Sequence, residues 1–223
     1  MIKQDLLKSE VYNTDCMEFM KQYPDNHWEL AIIDPPYGIG GDSLYTNRLV
    51  GAGKLKNRAL NRMNTKWDIA PNKTYFDELF RVSKNQIIWG GNYFDLKPTR
   101  GIIAWDKCQP FPNFSAWEMA WTSFNCVARI FKFDNRTSGK IHPTQKPIKL
   151  YEWLLSKYAK EGDKILDTHG GSMSSVIACL NLGFEITCTE LDKDYYEQAK
   201  FRIIEHQKQQ NLFNPTQEIK FID

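Results

Sequence analysis

Short apolar runs bounded by turn residues recur along this chain, and stretches with apolar residues at helical spacing lie between or after them. The runs are Leu30 to Ile33, Gln86 to Trp89, Gly101 to Trp105, Glu118 to Ser123, Lys164 to Leu166 and Glu185 to Thr189. Val11 to Thr14 adds a shorter one. The helical patterns cover Cys16 to Gln22, Lys73 to Val82, Ile148 to Tyr158, Ser174 to Leu182 and Asp194 to Gln207. A strand covered on both faces reads as an unbroken apolar run, because neither side chain direction meets water. Strands of this kind alternating with helices predict an α/β fold, a mostly parallel central sheet flanked by helices.

With 223 residues the chain fits one domain, and residues 1–223 are read as a single unit. The net charge is only +2, so any surface for a polyanion has to come from local clustering of basic residues. The five cysteines (Cys16, Cys108, Cys126, Cys179, Cys188) are scattered and form no CxxC pair, and the four histidines (His27, His142, His169, His206) form no HxxxH pair. That pattern argues against a disulfide framework and against a zinc site, so no metal is expected. Met1 to Glu10 is polar and no apolar signal-peptide core follows, and no run is long enough to span a membrane. A soluble, cytoplasmic protein is expected, and a homodimer is compatible with it.

The tetrapeptide Asp34-Pro35-Pro36-Tyr37 directly follows the run Leu30 to Ile33. In open parallel sheets ligands bind beyond the carboxyl ends of the strands, where this tetrapeptide falls. Pro35 and Pro36 fix the backbone and remove two amide donors, which leaves local carbonyls free to accept. A carboxylate, which only accepts, beside a free carbonyl suits the two hydrogens of an amino group. Tyr37 offers a flat face on which a base can stack. The stretch Ile165 to Met173 runs from a strand into a small-residue turn (Asp167, Thr168, His169, Gly170, Gly171, Ser172) and then a helix. Small residues permit close backbone approach to a ligand, and the following helix N-terminus favours a carboxylate. The next strand ends at Glu190, the offset and position of an acid that holds ribose hydroxyls.

Together these strings resemble the amino-methyltransferases of DNA, the family that makes N6-methyladenine or N4-methylcytosine. The resemblance implies a Rossmann-like methyltransferase fold and S-adenosylmethionine as cofactor. It places the acceptors for the target amine on Asp34 and the Pro35 carbonyl, and the stacking face on Tyr37. The turn resembles the family's cofactor pattern Asp-Pro-Phe-x-Gly-Ser-Gly, with Asp167, Gly171 and Ser172 matching and Met173 standing where the last glycine would be. By the same resemblance the stretch from His142 through Lys146 to Pro147 closes the methionine end of the pocket, Asp15 reaches the cofactor adenine, and Leu191 follows the ribose acid. Because Asp34 precedes Asp167 in the chain, the motif order matches the family's permuted class. An Asp before Pro-Pro-Tyr is commoner among the adenine enzymes, so a restriction-modification or phage-type adenine methyltransferase is expected. Its substrate would be double-stranded DNA with the target base flipped out. N4-cytosine, RNA, or a binding module that has kept the fold and lost catalysis are the alternatives.

From Gly38 to Lys66 the chain loses apolar periodicity and gathers Arg48, Lys54, Lys56, Arg58, Arg62 and Lys66, with no acid after Asp42. Long irregular loops inside compact domains are usually functional. The expectation is a mobile substrate-contacting loop in which Lys54, Lys56, Arg58 and Arg62 meet DNA phosphates. Cys108-Gln109-Pro110 reverses the nucleophile motif of the cytosine ring-carbon methyltransferases, and Cys108 is read as structural.

Overall fold

A computed structural model describes residues 7–39, 68–109, 115–134, 140–142, 144–210 and 217–223. Lys54, Lys56, Arg58 and Arg62 lie outside the described residues. The strands are β1 (Leu7–Asn13), β2 (Trp28–Ile33), β3 (Ser83–Trp89), β4 (Ile102–Asp106), β5 (Trp117–Thr122), β6 (Arg129–Lys132), β7 (Lys164–Asp167), β8 (Glu185–Glu190) and β9 (Gln217–Ile222). The helices are α1 (Cys16–Met20), α2 (Lys73–Val82), α3 (Ile148–Tyr158), α4 (Ser174–Leu182) and α5 (Lys193–Gln210). All strands join one sheet in the order β6-β4-β5-β3-β2-β7-β8-β1-β9.

The unbroken apolar run of β2 divides between two cores. Leu30 and Ile32 pack on one face with α3, α4 and α5, through Leu150, Leu154, Val176, Ile177, Tyr196 and Ile203. Ala31 and Ile33 pack on the other face with α1 and α2, through Phe19, Met20, Tyr75, Phe76 and Leu79. Each side chain direction of the strand thus meets a helix layer, which is why the run carries no polar alternation. Local caps fix two helix starts on the second face. Asp15 Oδ1 accepts from the amides of Met17 and Glu18 at 2.8 and 3.1 Å, and Asn72 Oδ1 accepts from Tyr75.

The sheet is parallel from β3 through β9, and the other end is mixed. β5 runs antiparallel to both β3 and β4. The sheet is thus mostly parallel, as expected, with β5 its antiparallel member. β6 and β9, which have no counterpart among the predicted runs, pair in parallel with β4 and β1 at the two edges. Helix α1 ends at Met20, before the predicted Gln22, and α5 runs from Lys193 to Gln210, beyond both predicted ends.

This order places a switch point beside β2. The chain leaves β2 towards β3 by way of α2, and leaves β7 towards β8 by way of α4, on the opposite face. Neighbouring strands whose connections depart to opposite faces leave a crevice at their carboxyl ends. Asp34 and Asp167 stand on its two sides.

Candidate active site

Five strand tails, those of β1, β2, β3, β7 and β8, meet at this crevice with the stretch before α3. Both oxygens of Asp34 are engaged. The Tyr37 hydroxyl donates to Oδ1 at 2.8 Å, and the Lys146 ammonium forms an ion pair with Oδ2. Lys146 also donates to the Tyr37 hydroxyl at 3.3 Å, which closes a triangle of side chains. Its side chain is only 2% exposed, so the ammonium depends on these partners. Glu118, from β5, supplies a second carboxylate 3.1 Å away, and Lys107 binds its other oxygen.

Charges in this group decide one another's state. Burial would push the Lys146 ammonium towards neutrality, but Asp34 and Glu118 outweigh it and hold the group protonated. Burial raises Glu118, yet Lys146 and Lys107 bracket it and bring it down to about 2. Asp34 has a share of one lysine only, so burial prevails and its carboxyl rises above the ordinary range.

The Tyr37 ring rests on the turn after β3. Gly90 is left-handed at φ +69°, and a Cβ there would overlap the Tyr37 ring. Tyr93, 48% exposed at the end of the short 3-10 turn Gly91–Tyr93, stacks on Tyr37 with centroids 5.0 Å apart and planes at 21°.

On the other side of the crevice, the turn after β7 is tightly held. Gly170 donates to the Thr189 carbonyl at 2.9 Å, and the Gly171 amide donates to Glu190 Oε2 at 2.6 Å. Glu190 Oε1 accepts from the Asp192 amide at 2.8 Å. Asp167 is buried beneath the turn, bound by the Ser175 hydroxyl at 2.5 Å and the His169 amide at 3.1 Å. Burial nevertheless pushes its carboxyl up to about 7. Thr168 Oγ1 lies 2.6 Å from the Tyr75 hydroxyl and 3.0 Å from His169 Nδ1. Burial brings the His169 imidazole down to about 4. The Ser172 carbonyl accepts from Arg202 of α5 at 2.5 Å. Met173, at φ 52° and ψ 38°, adopts the left-handed conformation that suits glycine, and its fully buried side chain joins the core under the turn.

The predicted residues sort into two groups. Asp34, Tyr37 and Lys146 converge, with Pro35 and Pro36 in the same tail. Asp167, Thr168, His169, Gly170, Gly171, Ser172 and Glu190 form the second cluster. Asp15 is exposed and caps α1, near Glu190, whose carbonyl accepts from the Thr14 amide at 3.1 Å. Leu191 is 69% exposed beside it. Lys146, expected at the cofactor, has its ammonium on Asp34. Glu118, Lys107 and Tyr93 carry parts of the site that sequence reasoning did not assign. A charged residue in the otherwise apolar string Trp117-Glu118-Met119-Ala120-Trp121 was the available signal for Glu118. Cys108 is exposed, with its amide donating to Asp106. No helix among the described residues is long and apolar enough to cross a membrane.

A family model described as DNA methylase matches residues 127–201. The chain is 39% identical to the Type II methyltransferase M.HpaI of Haemophilus parainfluenzae, over 85% of this chain and 72% of that protein. It is 24% identical to the Type II methyltransferase M2.MboI of Moraxella bovis, over 86% of each. Among solved structures it resembles the M1.HpyAVI–SAM complex, with a TM-score of 0.55, 22% identity, and coverage of 87% of this chain and 99% of that one. It also resembles the PvuII cytosine-N4-specific DNA methyltransferase, with a TM-score of 0.58, 13% identity, and coverage of 99% and 98%. This chain belongs to the N6/N4 family of DNA methylases, enzymes that transfer methyl groups to DNA, and has their Rossmann-like fold.

Proposed function

We propose that this protein transfers a methyl group from S-adenosylmethionine to the exocyclic N6 of adenine in double-stranded DNA, within a restriction-modification system. The observation that carries this reading is the position of Asp34 and Tyr37 at the switch point, directly across from the turn that follows β7. The family relationship and the Type II relatives support it. The catalytic tail precedes the cofactor turn in the chain, the order of the permuted class, and residues 1–223 act as one domain.

The site residues fit the cofactor chemically. Asp34, Asp167 and Glu190 gather carboxylates around the crevice, and burial raises all three. Such carboxylates favour a ligand that brings positive charge, as a sulfonium and an ammonium do. A Cβ on Gly171 would fill the space 3.7 Å short of the His142 ring, room that glycine leaves free. Asp167 through Ser172, Glu190, Leu191, Asp15 and Lys146 are the residues proposed to hold it. When bound, S-adenosylmethionine supplies an electrophilic methyl group on sulfur.

The amine of a paired base is inaccessible inside a duplex, so the target base has to flip into the crevice. There Tyr37 stacks on it, while Asp34 and the Pro35 carbonyl accept its two N–H hydrogens; Pro36 keeps the carbonyl from being satisfied locally. An aromatic amine is a weak nucleophile because its lone pair is delocalised into the ring. Acceptors on both hydrogens favour a pyramidal nitrogen with the lone pair free to attack. As the N–C bond formed and the methyl group's bond to sulfur broke, the nitrogen would become more acidic, and Asp34, already accepting one of its hydrogens, would take the departing proton. Catalysis on this account is mainly positioning and electrostatic stabilisation. Lys54, Lys56, Arg58 and Arg62 are proposed to contact phosphates, in a segment whose flanks meet at the site through the Gly38 amide and the Asp68 carboxylate, 2.8 Å apart.

The test is to methylate duplex DNA with labelled cofactor, digest it to nucleosides and separate them. The expected label is in N6-methyldeoxyadenosine. Label in N4-methyldeoxycytidine would overturn the choice of base, and absence of label from DNA would overturn the function.

A further inference from the structure

We propose that Glu118 is a positioning residue for the methyl-transfer reaction, acting on Asp34 through Lys146. The inference rests on the reading of Asp34 as the acceptor of the target amine. The Lys146 ammonium meets three oxygens: it forms ion pairs with Asp34 Oδ2 and with Glu118 Oε2, the latter 3.1 Å away, and donates to the Tyr37 hydroxyl. Each lies on a different segment or side-chain position, so the position of the ammonium is fixed from several directions. Trp89 supplies a further wall, its ring centroid 5.2 Å from Nζ.

Glu118 is the rigid member of the set. It sits in β5, between β3 and β4, with Trp105 opposite it in the register, and Lys107 holds its second oxygen. Asp34, Lys146, Glu118 and Lys107 alternate in sign and sum to zero charge. A buried lysine facing Asp34 alone would form a closed pair and draw the carboxylate's acceptor capacity to itself. Sharing the ammonium between two carboxylates leaves Asp34 oriented and still able to accept from a base amine.

The prediction is tested with Glu118→Gln, which keeps the shape and removes the charge. Single-turnover methylation of duplex DNA should fall 10- to 100-fold, while duplex affinity, read by fluorescence anisotropy, stays within twofold. In a Lys146→Met background the same substitution should add less than a twofold loss, because its route to Asp34 is gone. An unchanged rate in Glu118→Gln, or an equal loss in both backgrounds, overturns the proposal. If Glu118→Gln does not fold, Glu118→Asp carries the test. That variant keeps the charge on a shorter stem and should lose 3- to 10-fold in rate, and an unchanged rate overturns the idea. Failure of the underlying reading would show separately, as wild-type protein that places no methyl group on a base amine.

Discussion

The hydroxyl of Tyr37 donates to Oδ1 of Asp34 at 2.8 Å, so the two functional side chains of one tetrapeptide are locked together before any base arrives. The ring and the hydroxyl of Tyr37 therefore have separable effects. Tyr37→Phe keeps the flat face and should leave duplex binding nearly unchanged while slowing transfer, since Asp34 loses a hydrogen bond. Tyr37→Ala should additionally weaken duplex binding by about 1–3 kcal/mol through lost stacking. Equal duplex affinities for the two variants, measured by anisotropy, would remove the stacking role.

Glu190 binds the amides of Gly171 and Asp192 through its two oxygens, and it is the residue proposed to hold the ribose hydroxyls. Glu190→Ala should weaken S-adenosylmethionine binding by roughly 1–3 kcal/mol. Isothermal calorimetry decides this, and unchanged affinity would move the ribose site elsewhere.

Met173 sets two effects against each other. The left-handed conformation costs an L-residue roughly 1–2 kcal/mol, whereas deleting a fully buried methionine side chain costs about 2–5 kcal/mol. Met173→Gly should therefore relieve strain and still lose about 1–3 kcal/mol of stability. Urea denaturation of the two proteins measures the difference, and a more stable glycine variant would show that strain dominates.

Asp167 gives a pH signature. Burial raises its carboxyl from 3.8 to about 7, so between those values the folded protein binds more protons than the unfolded chain. Stability from this group is complete below about pH 4 and declines as pH rises towards 7, with a slope of up to about 1.4 kcal/mol per pH unit. Glu118, held at about 2, works in the opposite direction and loses its contribution as pH falls below about 4.5. Subtracting the profile of Asp167→Asn from that of the wild type isolates the Asp167 term. Parallel profiles from pH 4 to 7 would contradict it.

Much of this fold was legible because β2, the second half of β3 and β7 are covered on both faces and so read as apolar stretches. The residues of β6 point mostly to solvent, and β9 follows a polar stretch, so neither edge strand carries that signal. The direction of β5 was equally hidden, since alternation reports which side chains are buried and says nothing about which way a strand runs. Asp34, Tyr37 and the turn from Asp167 were legible because their spacing along single segments carries the chemistry. The contact of Lys146 with Tyr37 spans 109 residues, and only the packed sheet brings the two together. Charge alone could not reveal that Lys146 faces Asp34 and Glu118 across the crevice.

The most direct test of the account is methyl transfer by Asp34→Ala, measured beside its affinity for S-adenosylmethionine. The substitution removes one of two carboxylates from the buried ammonium of Lys146, and Glu118 remains to hold it. The fold should survive with a loss of about 1–3 kcal/mol. Transfer to DNA should fall by about 10²–10³-fold or more, because the amine loses its principal acceptor, while cofactor affinity stays close to that of the wild type. Near-normal turnover in this variant would contradict the assignment of Asp34, and with it the proposed mechanism.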